Sequence, residues 1–468
     1  MKTLALPWYG FGSAGRASGI RRTHIRIAAV QKAEYVAFPA AKPKNGDMDE
    51  DTATLRRLLE EMPGEGDRWM ILGCSLIRQQ RFEEARDALV KATELSPSSA
   101  PAWNNLASAL RRLGQIEEAT KCCEKALAID PEHAEAWFHL GDCRMLLGDF
   151  KGAYECYEWR KRIPEVEMPG ANLEQPEWTD GNLDGRTVLV IAEQGFGDSI
   201  QYCRFVPQLK DQGANVYLVV QSRLKALFRS LDGVDLVIGS GEPLPVFELR
   251  IPLLSLPYLL GTDFDSLPAT VPYLSPTREA SARVGDRIGE PGGFKIGLVW
   301  QGAEGTAADL GRSFCLSDLG DLAAIPDCRF YSFQKGPPRA EIAGWPCGSE
   351  IMDLGGELAS FDDTAAWLQN MDLIIASDTA VAHLAGALAR PTWLALRYVP
   401  AARWLLGRPG QSLVSNLKAI PPTSTGRLGL GFRLYRDRCA EIGFDRRPDG
   451  TVNSSLTLFL SFSLRGPG

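Results

Sequence analysis

A chain of 468 residues exceeds what one hydrophobic core usually organises, so several domains are expected. Its 45% hydrophobic and 23% charged residues are ordinary for a globular protein. The formal net charge of -7 argues against nucleic acid as the default partner, since phosphate binding needs a basic surface. No apolar run approaches the roughly 20 residues of a membrane-spanning helix; the longest suspect, 456–464, is short and broken by serines.

The stretch 1–43 is basic, with no acidic residue before Glu34. It lacks a continuous apolar core and a small-residue cleavage site, so 1–51 is expected to be a disordered or misassigned leader and not a secretory signal. The ten cysteines include no CxxC pair, and Cys74, Cys122, Cys143 and Cys156 fall on predicted helix faces. They read as reduced thiols of a cytoplasmic protein. Only four histidines are present, none at ligand spacing from a cysteine, so no zinc site is expected.

A repeat dominates the next region. Trp69, Trp103 and Trp137 are spaced by 34 residues, and Leu72, Leu106 and Leu140 follow each of them. Gly73, Ala107 and Gly141 keep the same register, as do Ala85, Ala119 and Ala153, then Ala92 and Ala126, then Pro97 and Pro131. This is the tetratricopeptide (TPR) pattern: small residues let two antiparallel helices approach, large ones fill the gap, and a proline ends each second helix. A generic bundle would show the helical period without the fixed register. The expected α-solenoid spans 52–165. Three repeats are near the minimum for such an array, which should lean on its neighbour. Its last helix carries Tyr154, Tyr157 and Trp159 toward a linker at 166–185, rich in Pro, Gly, Asn and Asp.

Beyond the linker the pattern changes to short β-branched runs separated by helical stretches. Strands are expected at 187–192 (TVLVIA), 216–220 and 234–238, with a helix over 199–212 between the first two. A second series follows at 294–300 (FKIGLVW), 329–333, 351–354, 373–376 and 392–396. Such alternation predicts two successive Rossmann-like α/β domains with parallel sheets, 186–285 and 291–408, whose ligands bind beyond the carboxyl ends of the strands.

Five segments carry a family resemblance: AEQGFGDSIQYCRF (192–205), GLVWQG (297–302), SFQKG (332–336), SDTAVAHLAGALARPTW (377–393) and the junction GDFKGAYECYEWRKR (148–162). The chain from 67 to 408 resembles the bacterial TPR-fused members of glycosyltransferase family 9, the heptosyltransferase-like group. The resemblance implies a GT-B fold, a nucleotide-sugar donor bound in the C-terminal domain without metal or other cofactor, and inversion at the sugar. It also implies a protein, peptide or glycan acceptor handled by the N-terminal domain and the concave face of the repeats.

Ser377, Asp378 and Thr379 lie between a strand and a helix, where such residues cap well and where the first helical turn favours an anion such as a pyrophosphate. His383, one turn on, could add a hydrogen bond to a phosphate or sugar oxygen. The plainer alternative makes Asp378 a cap and His383 a packing residue. Asp198 follows Gly195-Phe196-Gly197 at the mouth of the first strand. The resemblance makes it the general base for the acceptor hydroxyl; a plain helix cap is the alternative. Lys335, Arg312 and Ser313 are placed to meet the donor phosphates, with a solvated surface role as their alternative. Gln194, Gly195, Gly197 and Gln301 are candidate acceptor or sugar contacts. Asp263-Phe264-Asp265 looks like a metal-binding DxD but reads as turn chemistry.

After Arg408 the chain departs from the family. It has GQSLVS (410–415) where relatives continue with a segment like Asp-Ser-Pro-Trp-Tyr-Pro, a further strand and a closing helix. Codons for 409–415 can spell such a segment when one base is dropped. A frameshift near Pro409 is therefore expected, making 409–468 an aberrant tail with no strand or helix period before Leu456. Two functions follow: an active metal-independent glycosyltransferase, or a TPR interaction scaffold with a degenerate transferase domain. An ATP- or NAD-binding enzyme is disfavoured: GxxxxGK[ST] does not occur, and the GxGxxG at 10–15 (GFGSAG) follows no expected strand.

Overall fold

The computed structural model describes residues 45–288, 292–302, 312–325, 327–346, 351–396, 399–404 and 417–420. The expectations for 1–44, for the site of the frameshift at Pro409 and for the tail from 421 lie outside the described residues. Among the described residues no helix is long and apolar enough to cross a membrane.

Seven helices come first: α1 (Asn45–Glu61), α2 (Gly66–Arg78), α3 (Phe82–Leu95), α4 (Ala100–Arg112), α5 (Ile116–Ile129), α6 (Ala134–Leu147) and α7 (Phe150–Tyr157). Helices α2/α3, α4/α5 and α6/α7 form three packed pairs. A Cβ on Gly73 would lie 2.4 Å from Leu89 Cγ, so the first pair closes only over a glycine. The tryptophans do more than fill space. The indole N–H groups of Trp69, Trp103 and Trp137 donate to the carbonyls of Pro63, Pro97 and Pro131, each at 2.9 Å. The proline is thus both a helix stop and a fixed acceptor. Pro63 extends the register one unit toward the N-terminus, which makes α1 the second helix of a partial repeat. Among the described residues the helix already runs from Asn45, earlier than the 52 that the apolar pattern suggested, because the first turns of α1 are mostly polar (NGDMDED).

The same register recurs in the turns. Gln80, Gly114 and Gly148 all have left-handed φ, at 62°, 80° and 92°. Glycine takes this conformation freely, whereas Gln80 carries a strain of about 1 kcal/mol.

The expected linker is not a tether. Glu177 bridges to Arg250, the Trp178 amide donates to the Arg250 carbonyl at 2.9 Å, and Trp178 and Leu183 are buried. Its composition marks irregular backbone, held against the first sheet.

That sheet holds β1 (Thr187–Ile191), β2 (Asn215–Val220), β3 (Leu236–Gly239) and β4 (Leu249–Pro252), all parallel, in the order β3-β2-β1-β4. Strand β4 gives no sequence signal: four residues ending in proline are tolerated here because the strand lies at an edge. The second sheet is also parallel, in the order β10-β9-β8-β5-β6-β7. Its strands are β5 (Phe294–Val299), β6 (Cys328–Ser332), β7 (Ile351–Asp353), β8 (Leu373–Ser377), β9 (Thr392–Ala395) and β10 (Leu417–Ile420). Strand β10 corrects the expectation of a tail without strand structure: Leu417–Ile420 pairs with Thr392–Ala395 through backbone bonds, which demand little of the sequence.

Each sheet reverses its order once, between β1 and β4 in the first and between β5 and β8 in the second. A crevice opens at such a switch point beyond the carboxyl ends of the strands. One continuous buried cluster runs from Leu55 in the array through Val190 in the first sheet to Ile374 and Leu384 in the second lobe.

Candidate functional site

The loop after β1 is tied to the array by a buried network. Arg160, fully buried in the turn after α7, donates from Nη2 to Glu193 Oε1 at 2.7 Å and from Nε to Oε2 at 3.2 Å. It also reaches Glu158 Oε1 at 2.8 Å and Ser255 Oγ at 2.9 Å, and Glu193 accepts the Leu254 amide at 3.1 Å. The ends of β1 and β4 are therefore clamped to the last repeat. One residue on, the Tyr157 hydroxyl donates to Gln194 Oε1 at 3.1 Å, and the exposed Gln194 backbone holds φ at 60°.

Helix α8 (Phe196–Tyr202) leads from this loop to the facing lobe, where it packs on α9 (Ala380–Ala387). A Cβ on Gly197 would sit 2.9 Å from His383 Cδ2 and 3.5 Å from Ala380 Cα. Gly197, a candidate acceptor or sugar contact, packs against His383. Asp198 performs the capping role, accepting the Gly195 amide through Oδ2 at 3.1 Å. Its other oxygen, Oδ1, takes Arg403 Nη1 at 2.7 Å from the opposite lobe, 205 residues away.

His383 is 3% exposed, and its ring stacks on Trp404 with centroids 4.9 Å apart. Burial and then the Arg403 charge push it down to about 3, so the imidazole is neutral. Arg403 Nη1 lies 3.5 Å from His383 Nε2 and offers only N–H groups; taking Nε2 as its acceptor assigns the ring proton to Nδ1. That Nδ1 is buried with no hydrogen-bond partner among the described residues. Ser377 Oγ at the end of β8, Thr379 Oγ1 at the start of α9 and Arg312 Nε are in the same condition. Thr379 stands at the N-cap without using its hydroxyl to cap. Arg312 is close enough to act on the charge of His383. A buried polar group without a partner costs about 1–3 kcal/mol, and several at one switch point call for a ligand. All are donors or hydroxyls, and helix α9 begins among them; the set suits an anion.

Other expected residues sit elsewhere. The Gln301 side chain is taken by Glu341, Nε2 to Oε1 at 2.6 Å, and its amide by Gln334 Oε1 at 2.9 Å, so it is not free to orient a sugar. Ser313 Oγ accepts the Gly302 amide at 3.2 Å, closing the loop after β5. Lys335 is exposed, and its Nζ donates to the Leu358 carbonyl at 2.6 Å. Burial and then Arg223 and Arg339 lower its pKa. This puts it beside Arg223, whose guanidinium lies over Phe196 and Phe361, not in the Ser377–His383 group. Asp263 Oδ1 accepts the amides of Asp265 and Ser266 at 3.1 and 2.9 Å, in keeping with a turn. The eight described cysteines are free thiols.

Residues 67–99, 100–133 and 134–158 match models of the tetratricopeptide repeat. This region is a tetratricopeptide-repeat array. Arrays of this kind present an extended concave surface suited to protein partners. The chain is 28% identical over 261 residues to Protein FlbA of Caulobacter vibrioides, a match covering 49% of this chain and 42% of that protein. Among solved structures it is similar to MamA, with 25% identity, 25% of this chain and 70% of that chain covered, and a TM-score of 0.24. It is also similar to the Sgt2 TPR domain from Aspergillus fumigatus, with 31% identity, 20% and 62% covered, and a TM-score of 0.20.

Sequence reasoning did not single out Arg403, Gln201, Trp404, Glu193 or Gln334. One signal was available for Arg403: a lone cation inside the apolar run Ala401-Ala402-Arg403-Trp404 needs a partner.

Proposed function

We propose that the chain is a glycosyltransferase that takes a sugar from a nucleoside-diphosphate donor and passes it to a protein or glycan acceptor brought by the repeat array. The observation that carries this reading is the group of unpartnered buried atoms at the second switch point: Ser377 Oγ, Thr379 Oγ1, His383 Nδ1 and Arg312 Nε. These atoms, with the start of α9, would hold the donor diphosphate, and Asp378 and Ser313 would shape the pocket around it. Fixed donors there stabilise the charge that grows on the leaving diphosphate. The acceptor oxygen attacks the anomeric carbon, the bond from that carbon to the phosphate oxygen breaks, and the acceptor proton passes to Asp198. Attack opposite the leaving group inverts the sugar. The test is turnover of UDP-, GDP-, ADP- and CMP-sugars by the full chain, with Asp198→Ala as the control. Turnover lost in that variant with donor binding kept supports the reading; a donor turned over equally well by both proteins overturns it.

A second reading, an interaction scaffold with an inactive transferase domain, is favoured by the double engagement of Asp198 with Gly195 and Arg403. It predicts no binding of any donor.

A further inference from the structure

We propose that Arg403 is an exchangeable partner, which holds Asp198 while the crevice is empty and moves to the diphosphate of an incoming donor, freeing Asp198 to act as base. The inference rests on the donor reading above and adds to it a residue and an order of events.

Four features support the exchange. First, the three hydrogen bonds Arg403 makes among the described residues, to Asp198 at 2.7 Å, Gln201 at 3.4 Å and His383 at 3.5 Å, all run through Nη1. A guanidinium has five donors in a planar fork, so among the described residues the rest of the fork is uncommitted and suits a bidentate phosphate contact. Second, the side chains of Arg403 and Asp198 are 29% and 17% exposed, so the pair is not sealed and can open without unfolding the lobes. Third, charge converges on this point from both lobes: Arg204, Arg312 and Arg403 against Asp198 and Asp378. Burial opposes the charge on Arg403, and the two carboxylates outweigh it. An entering diphosphate can take over that role. Fourth, Trp404, the next residue, stacks on His383, so occupation beside His383 bears directly on the segment that carries Arg403.

The consequence is an order. Both Asp198 oxygens are engaged, Oδ2 by the Gly195 amide and Oδ1 by Arg403. The oxygen that would take the acceptor proton is freed only after the donor anion has drawn Arg403 away, which places acceptor activation after donor binding.

The experiment is calorimetric titration of the full chain with inorganic pyrophosphate and, separately, with UDP, GDP and ADP. The proteins are wild type, Asp198→Asn, Arg403→Met and Arg403→Lys. Exchange predicts opposite signs. Asp198→Asn releases Arg403 and should tighten pyrophosphate binding by about 3- to 10-fold, while Arg403→Met should weaken it by about 10-fold or more. Arg403→Lys should fall between wild type and Arg403→Met. Unchanged or weaker binding in Asp198→Asn overturns the exchange, whether or not Arg403→Met folds, because the sign is read on the Asp198 variant. Pyrophosphate bound with the two signs, but no nucleoside diphosphate bound, keeps the exchange and sinks the nucleotide reading. Nucleoside diphosphates bound with both variants neutral keep that reading and sink the exchange. Binding of none overturns both.

Discussion

The repeat array and the two lobes are built on opposite principles. In the array one solution recurs: a tryptophan N–H on a proline carbonyl at 2.9 Å, three times, 34 residues apart. In the lobes no important contact recurs. Asp198 meets Arg403 across 205 residues, and Arg160 meets Ser255 across 95. The array advertises its structure in sequence because its contacts are local and repeated. The lobes do not, because their site exists only once two sheets have been brought face to face.

The largest effect should come where the two regions are joined. Arg160→Met leaves Glu193 buried beside Ser255 without its cation. Removing one partner of a buried pair costs about 3–5 kcal/mol. Chemical denaturation should show the first lobe unfolding early while the array's helical signal persists; a shift below about 1 kcal/mol would mean that the regions are only loosely coupled.

A smaller effect should appear with pH. His139, whose Nδ1 lies 2.9 Å from Asn104 Oδ1, is pushed down to about 3 by burial and then by Arg111 and Arg112, as His383 is by burial and Arg403. Each stays neutral in the fold and gains a proton only on unfolding. Below pH 6.5 the unfolded chain therefore binds more protons, and stability falls as pH falls from there toward 3, by about 2 kcal/mol for each histidine at pH 5. His139→Gln should flatten this loss in the array and His383→Gln in the lobes, measured as melting temperature against pH. Equal slopes in the variants and wild type would count against buried neutral imidazoles.

The smallest effect tests the register itself. Gln80 occupies the left-handed turn that glycine fills at positions 114 and 148. Gln80→Gly should stabilise the array by up to about 1 kcal/mol. Destabilisation by that amount would show that the first turn is not equivalent to the other two.

The sequence exposed the elements far better than the site. The repeats and the strands expected at 187–192 and 373–376 were legible from periodicity; Asp198 was read as the cap of a helix starting at 199, and it lies in the first turn of one starting at Phe196. The partial repeat at Asn45–Glu61 was not, because its first turns are polar. Leu249–Pro252 and Leu417–Ile420 were missed as edge strands of four residues, held by backbone pairing. Ser377, Thr379, His383 and Arg312 were named as donor-site residues, and the structure leaves a buried polar atom of each without a partner among the described residues. Lys335 and Gln301 were misplaced, because the nearest carbonyl or carboxylate claims them first. Arg403 was passed over because its meaning depends on a residue in the other lobe.

The most direct test of the donor site uses Ser377→Ala, which removes one fully buried hydroxyl that has no partner in the empty protein. If that hydroxyl awaits a diphosphate, the empty variant should be more stable than wild type by about 1 kcal/mol, yet bind nucleoside diphosphates about 5- to 10-fold more weakly. Both quantities come from one series of thermal melts with and without ligand. A variant that is less stable when empty, or that binds the nucleotides as well as wild type, would contradict the site.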